Sequence, residues 1–174
     1  MRRYFALKTI LFLAIFMILH NLFGWSPNLL TRIFGGGDEV FIEHAKTGVW
    51  AATILAIGEY LYGRTRGHWK DAENRGAFVM SQGLVITFLP WMMFIFWYIA
   101  PTWIGPLPSI TWDIIYSIAV TAWLGLVVAF IGQEFQRLDF SRALQVLILV
   151  MYLLTVLLLT TFSYRTPWAP FFPT

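Results

Sequence analysis

Residues 143–162 read ALQVLILVMYLLTVLLLTTF, a stretch without one charged side chain. As a helix, a segment of this length rises about 30 Å, the thickness of a bilayer's hydrocarbon core. Working outward from it, four more runs have similar length and character: Tyr4–Phe23, Phe41–Tyr62, Ala77–Ala100 and Ile110–Ile131. The apolar residues are continuous rather than alternating, so the runs do not read as barrel strands. The chain of 174 residues is 59% hydrophobic and 12% charged, about half the charge of a soluble domain. The sequence therefore predicts an all-α integral membrane bundle of five transmembrane helices, forming one domain over residues 1–174.

Charge orients the expected bundle. Arg2, Arg3, Lys8, Arg64, Arg66, Lys70, Arg75, Arg137 and Arg142 fall on one side of a five-span arrangement, and Arg32, Lys46 and Arg165 towards the other. The positive-inside rule then predicts a cytoplasmic N-terminus, an outside C-terminus and residence in the cell (inner) membrane. Trp97, Trp103, Trp112 and Trp168 would form an aromatic belt at the outer interface. The net charge of +3 reads as headgroup attraction, not nucleic-acid binding. Arg2-Arg3 resembles a twin-arginine signal, but no small-residue cleavage site follows, so it reads as the flank of the first run. The absence of Cys excludes disulfides, thiolate metal sites and Cys nucleophiles.

Against this apolar background stands a polar constellation. Ionisable groups within a membrane segment cost a few kcal/mol or more, so a cluster of them is a functional candidate. The segment before it, residues 24–40, offers Ser26 as an N-cap with Pro27 at the first helical position. Gly35-Gly36-Gly37 supplies a hinge or a close backbone approach. Asp38 suits the N-cap of the second run, and Glu39 its first turn. Glu39, Glu43 and Lys46 then lie on one helix face, with His44 turned about 100° from Glu43. His20 ends the first run, so an antiparallel return brings it level with Glu43 and His44, and Asp113 opens the fourth run at the same level.

Glu43 and His44 are the catalytic candidates, and His20, Glu39, Lys46 and Asp113 the ligand-binding ones. Two imidazoles with a carboxylate (His20, His44 and Glu43) also suit a divalent metal such as zinc. Neighbouring His and Glu suit acid–base work, and a Lys at headgroup level suits an anion. The plain alternative is that these groups snorkel to water. Glu59 lies about 24 Å further along its helix, where it can pair with Arg64 or Arg66 or meet Gln82 as an inner polar group. Pro90 is expected to kink the third run.

Three classes of function follow. The first is a membrane-embedded protein that binds or acts on a small ligand, metal ion or lipid headgroup. The second is an accessory subunit or assembly factor, held to a protein partner or a second copy of itself, whose polar groups glue helices together. The third is an ion-coupled transporter, which needs a polar path from Glu43 to Glu59.

His20, Phe23 and Trp25, then Asp38-Glu39, Glu43-His44 and Lys46, then Glu59-Tyr60, resemble in order a pattern of an uncharacterised family of small polytopic membrane proteins from bacteria and archaea. The likeness covers residues 11–62; beyond it only Asp113-Ile114 is similar. Phe23 stands where that family has Tyr, and Gly24 where it has an acidic residue. The resemblance implies that His20, Glu39, Glu43, His44, Lys46 and Glu59 form one recurring set, and it implies no activity.

Overall fold

A computed structural model describes residues 2–36, 41–67 and 72–162, without the side chains of residues 2, 3, 72, 73, 100, 101 and 104. The described residues form helices α1 (Arg2–Trp25), α2 (Leu29–Phe34), α3 (Phe41–Thr65), α4 (Ala72–Ile104), α5 (Ile110–Phe135) and α6 (Arg142–Phe162). Four of them make a ring, in which α1 and α4 each pack against both α3 and α5. α6 lies outside the ring against α3 and α4. It buries Ile148 and leaves Val146, Leu147, Leu149 and Leu153 exposed, as a lipid-facing helix would.

The ring closes through small residues. A Cβ on Gly125 of α5 would lie 2.9 Å from the ring of Phe12 of α1, and one on Gly48 of α3 would lie 2.9 Å from Met93 Sδ of α4. Without a hydrophobic drive between helices in lipid, such close approach supplies the van der Waals contact that holds a bundle. The buried stripe of α1 runs Lys8, Phe12, Phe16 and Leu19, spaced to stay on one helix face.

Among the described residues four helices, not five, are long and apolar enough to cross a membrane: Tyr4–Trp25, Asn74–Ile99, Ile110–Phe135 and Arg142–Phe162. The run Phe41–Tyr62 does form a helix, but α3 interrupts its apolar residues with Glu43, His44, Lys46 and Glu59. Its first half is instead enclosed, with positions 42–49 all buried. The expected five-span bundle is corrected to four candidate spans. The cytoplasmic N-terminus and outside C-terminus rested on an odd number of crossings and no longer follow.

Other local expectations are also revised. α2 is capped by Asn28 rather than Ser26: its side chain accepts from the Thr31 N–H at 3.0 Å, and the Thr31 hydroxyl accepts from the Asn28 N–H at 3.0 Å. This reciprocal box satisfies orphan donors at both positions. α4 runs past the expected end at Ala100 to Ile104, before a turn at Gly105 with φ of 79°, a conformation that glycine adopts without strain.

Candidate functional site

Two polar clusters lie in the ring. Going from Lys8 to His20 along α1, or from Glu59 back to Glu43 along α3, spans roughly 18–24 Å, so the clusters sit towards opposite ends of the bundle.

The first cluster starts at the turn after α2. The Gly35 N–H donates to the Thr31 carbonyl, and the Gly36 N–H donates to the Leu19 carbonyl of α1 at 3.2 Å. This brings the glycine backbone against His20. A Cβ at position 36 would sit 3.1 Å from His20 Nδ1 and 3.3 Å from the His20 carbonyl, so a side chain there would crowd His20 by a few tenths of an ångström. Lys46 fastens the same turn from the other side. Its ammonium donates to the Arg32 carbonyl at 2.7 Å and to Glu43 Oε2 at 2.8 Å. Lys46 is only 1% exposed, so it is tied to partners inside the protein rather than reaching to water. A cation against the last carbonyls of a helix is also favoured by their partial negative charge.

Beside this clasp, the His20 and His44 rings lie with centroids 4.7 Å apart. His44 is 5% exposed and is held on its other side by Trp97, also at 4.7 Å, with Phe16 stacked at 6.4 Å. Both imidazoles line a cavity of about 510 Å³ that also meets Trp97, Asp113, Ser117 and Thr121. Asp113 is placed by the first turn of α5, where its N–H donates to the Ser109 carbonyl at 3.1 Å. Tyr116 donates its hydroxyl to the Phe96 carbonyl and ties α5 to α4 behind the cavity.

The structure thus gathers His20, His44 and Asp113 around one space, and sets Glu43 and Lys46 aside as a buried pair. Glu39 and Asp38 lie outside the described residues. Among the described residues, no group of three or more His, Cys, Asp or Glu side chains is arranged to hold a metal ion. Trp97, which the sequence offers only as a member of an aromatic belt, is a wall of the site. Ser117 and Thr121 are further wall residues that carry no signal beyond polarity and a four-residue spacing.

The second cluster centres on Glu59. Its Oε2 accepts from Lys8 at 2.7 Å and its Oε1 from the Tyr4 hydroxyl at 2.9 Å. Lys8, 3% exposed, also donates to Gln82 Oε1 at 3.2 Å. Glu59 and Gln82 are therefore joined as an inner polar group, but through Lys8, and the expected pairing with Arg64 or Arg66 is replaced. Lys8 reads in the sequence as an interfacial flank. The signal against that was its place on the Phe12–Phe16 stripe. Next to this cluster is a separate cavity of about 320 Å³, walled in part by Tyr4, Glu59 and Gln133.

The fold and its candidate spans define an all-α, multi-pass integral membrane protein. The chain matches no protein-family model, no curated protein and no solved structure.

Proposed function

We propose that this is a membrane-embedded binding protein whose small ligand occupies the cavity between His20, His44 and Asp113. One observation carries the reading: two imidazoles with ring centroids 4.7 Å apart share the wall of a cavity of about 510 Å³ with a carboxylate. That volume lies within the range of about 300–1,000 Å³ usual for small-molecule pockets, and mixed apolar walls with a few converging polar groups are their usual lining. An imidazole carries both a donor and an acceptor nitrogen, so His20 and His44 can hydrogen-bond to the polar group of a bound molecule. Glu43 and Lys46 act one step removed: they hold the turn that carries Gly36 against His20.

Native mass spectrometry of the protein released from lipid nanodiscs tests this reading. The wild type is expected to carry a small-molecule adduct. Ser117→Phe, which fills the cavity and leaves both imidazoles in place, is expected to lose it. A wild type without adduct, or equal adduct in both proteins, overturns the reading.

A second reading draws on the buried Glu59–Lys8 pair, which ties α3 to α1, and on Lys46, which pairs with Glu43 in its own helix and bonds the Arg32 carbonyl of α2. They support the accessory-subunit class for those four residues, and leave the His20–His44 cavity without a role. A transporter needs a polar route between the clusters. The buried hydroxyls of Thr47, Thr87 and Thr121 each donate to a carbonyl one turn back in their own helix, which favours local bonding over such a route.

A further inference from the structure

We infer that the cavity is loaded sideways from the bilayer, through the seam between α1 and α5, and that its occupant is a membrane-dissolved amphiphile with an uncharged or cationic polar head. This rests on the proposed binding function and names its ligand class.

Three of the four seams around the cavity are closed by contacts described above. α1 meets α3 through His20 and His44 and the Gly36 turn. α3 meets α4 through the His44–Trp97 contact and the approach of Gly48 to Met93. α4 meets α5 through Tyr116 and the Phe96 carbonyl. The fourth seam is different. α1 and α5 touch tightly lower down, where Gly125 receives Phe12 and makes a floor. Above that floor the cavity lies between them. Met17 of α1 and Ile114 and Ile118 of α5 line the cavity and also reach the outer surface of the bundle, with Met17 39% and Ile118 42% exposed. These side chains belong to helices that qualify as membrane spans, so the rim of this opening is apolar and faces hydrocarbon. A water-soluble ligand would have to cross lipid to use it. An amphiphile could leave its chain in the bilayer and place its head among the imidazoles.

The head group follows from charge. The cavity wall includes Asp113 and two imidazoles, and no Lys or Arg is among its described lining residues. Lys46, the cation nearest in sequence, is bonded to Glu43 and the Arg32 carbonyl. A phosphate would meet a carboxylate without a fixed positive partner, and an unpaired charge away from water is costly. A hydroxyl, carbonyl or amine can instead be bonded by the imidazoles, Ser117 and Asp113.

Because the chain has no Cys, Ser117→Cys places a single thiol on the cavity wall. The full-length variant in phosphatidylcholine vesicles is treated with a lipid-soluble N-alkyl maleimide or with a membrane-impermeant, sulfonated maleimide. The lipid-soluble reagent is expected to react faster. Adding Met17→Trp and Ile118→Trp at the seam is expected to slow it about tenfold or more, equivalent to a barrier of at least ~1.4 kcal/mol. Equal rates with the charged reagent, no reaction with either, or rates untouched by both Trp substitutions in a variant that still elutes as folded protein, overturn sideways loading. The adduct of the wild type is then extracted and identified. A phosphate-bearing amphiphile overturns the head-group assignment. A protein that carries an adduct but fails the thiol test refutes only this inference, whereas a protein with no adduct at all refutes the binding function itself.

Discussion

Replacing Glu43 by Ala should be among the most damaging single changes in the bundle. The perturbation removes the carboxylate 2.8 Å from the Lys46 ammonium, which is 1% exposed, and keeps the Arg32 carbonyl at 2.7 Å. At that separation the gross attraction is roughly 6 kcal/mol with an effective dielectric constant near 20. Most of that offsets the desolvation of both ions, and breaking one side of a buried pair typically costs about 3–5 kcal/mol. The retained Arg32 carbonyl places the expected loss at the lower end, about 3 kcal/mol. An ordinary interhelical hydrogen bond in a membrane protein is worth only about 0.6 kcal/mol on average, so the two cases separate cleanly. The double variant Glu43→Leu/Lys46→Met removes both charges and should lie within about 1 kcal/mol of the wild type, because an apolar pair of similar volume often replaces a buried ion pair without loss. The assay is reversible unfolding in mixed micelles titrated with dodecyl sulfate and followed by circular dichroism. A Glu43→Ala loss below about 0.6 kcal/mol, or a double variant as unstable as the sum of its singles, would refute the reasoning.

Further outcomes follow from the same geometry. Glu59→Ala should destabilise by about 2–4 kcal/mol, since it strands Lys8, and Lys8→Met/Glu59→Leu should recover most of that in the same titration. Gly125→Ala puts a methyl group 2.9 Å from the Phe12 ring and should cost about 1–3 kcal/mol by overpacking, with Phe12→Leu as its partial suppressor. Gly36→Ala should lower adduct occupancy in native mass spectra, because its Cβ would press on His20 Nδ1 from 3.1 Å; unchanged occupancy would deny that the turn positions His20. Tyr152→Phe removes a hydroxyl 3.1 Å from Thr53 Oγ1 and should cost no more than about 1 kcal/mol, as expected for a single neutral bond between α3 and the outer helix α6.

Much of the architecture is legible in residue type alone. Long uncharged runs, such as residues 143–162, leave a helix as the structure that satisfies its own backbone in lipid. Residues 41–62 have the length and periodicity of a helix, but burial of its first half against neighbouring elements, rather than lipid exposure, is what lets it carry Glu43, His44 and Lys46. Sequence spacing puts His20, His44 and Asp113 at one level, because antiparallel helices of known rise fix depth, and all three line one cavity. It did not tell which way the side chains turn around the helix axis. Hence Glu43 and Lys46, which share a face, read as members of the imidazole cluster, while Lys8 reads as an interfacial flank although its side chain is buried in the bundle. Lys8 shows the physical limit most clearly: its partner Glu59 is 51 positions away, and only the packing of α1 on α3 makes the pair.

The most direct test of the central claim is histidine-selective ¹⁵N and ¹³C NMR of the protein in lipid bilayers. The chain has three histidines, so His20→Phe and His44→Phe assign the two signals of interest. The account predicts a dipolar contact between the His20 and His44 rings, and a shift of both imidazole signals when Ser117→Phe fills the cavity. Two rings without mutual contact, or signals that do not respond to filling the cavity, would contradict it.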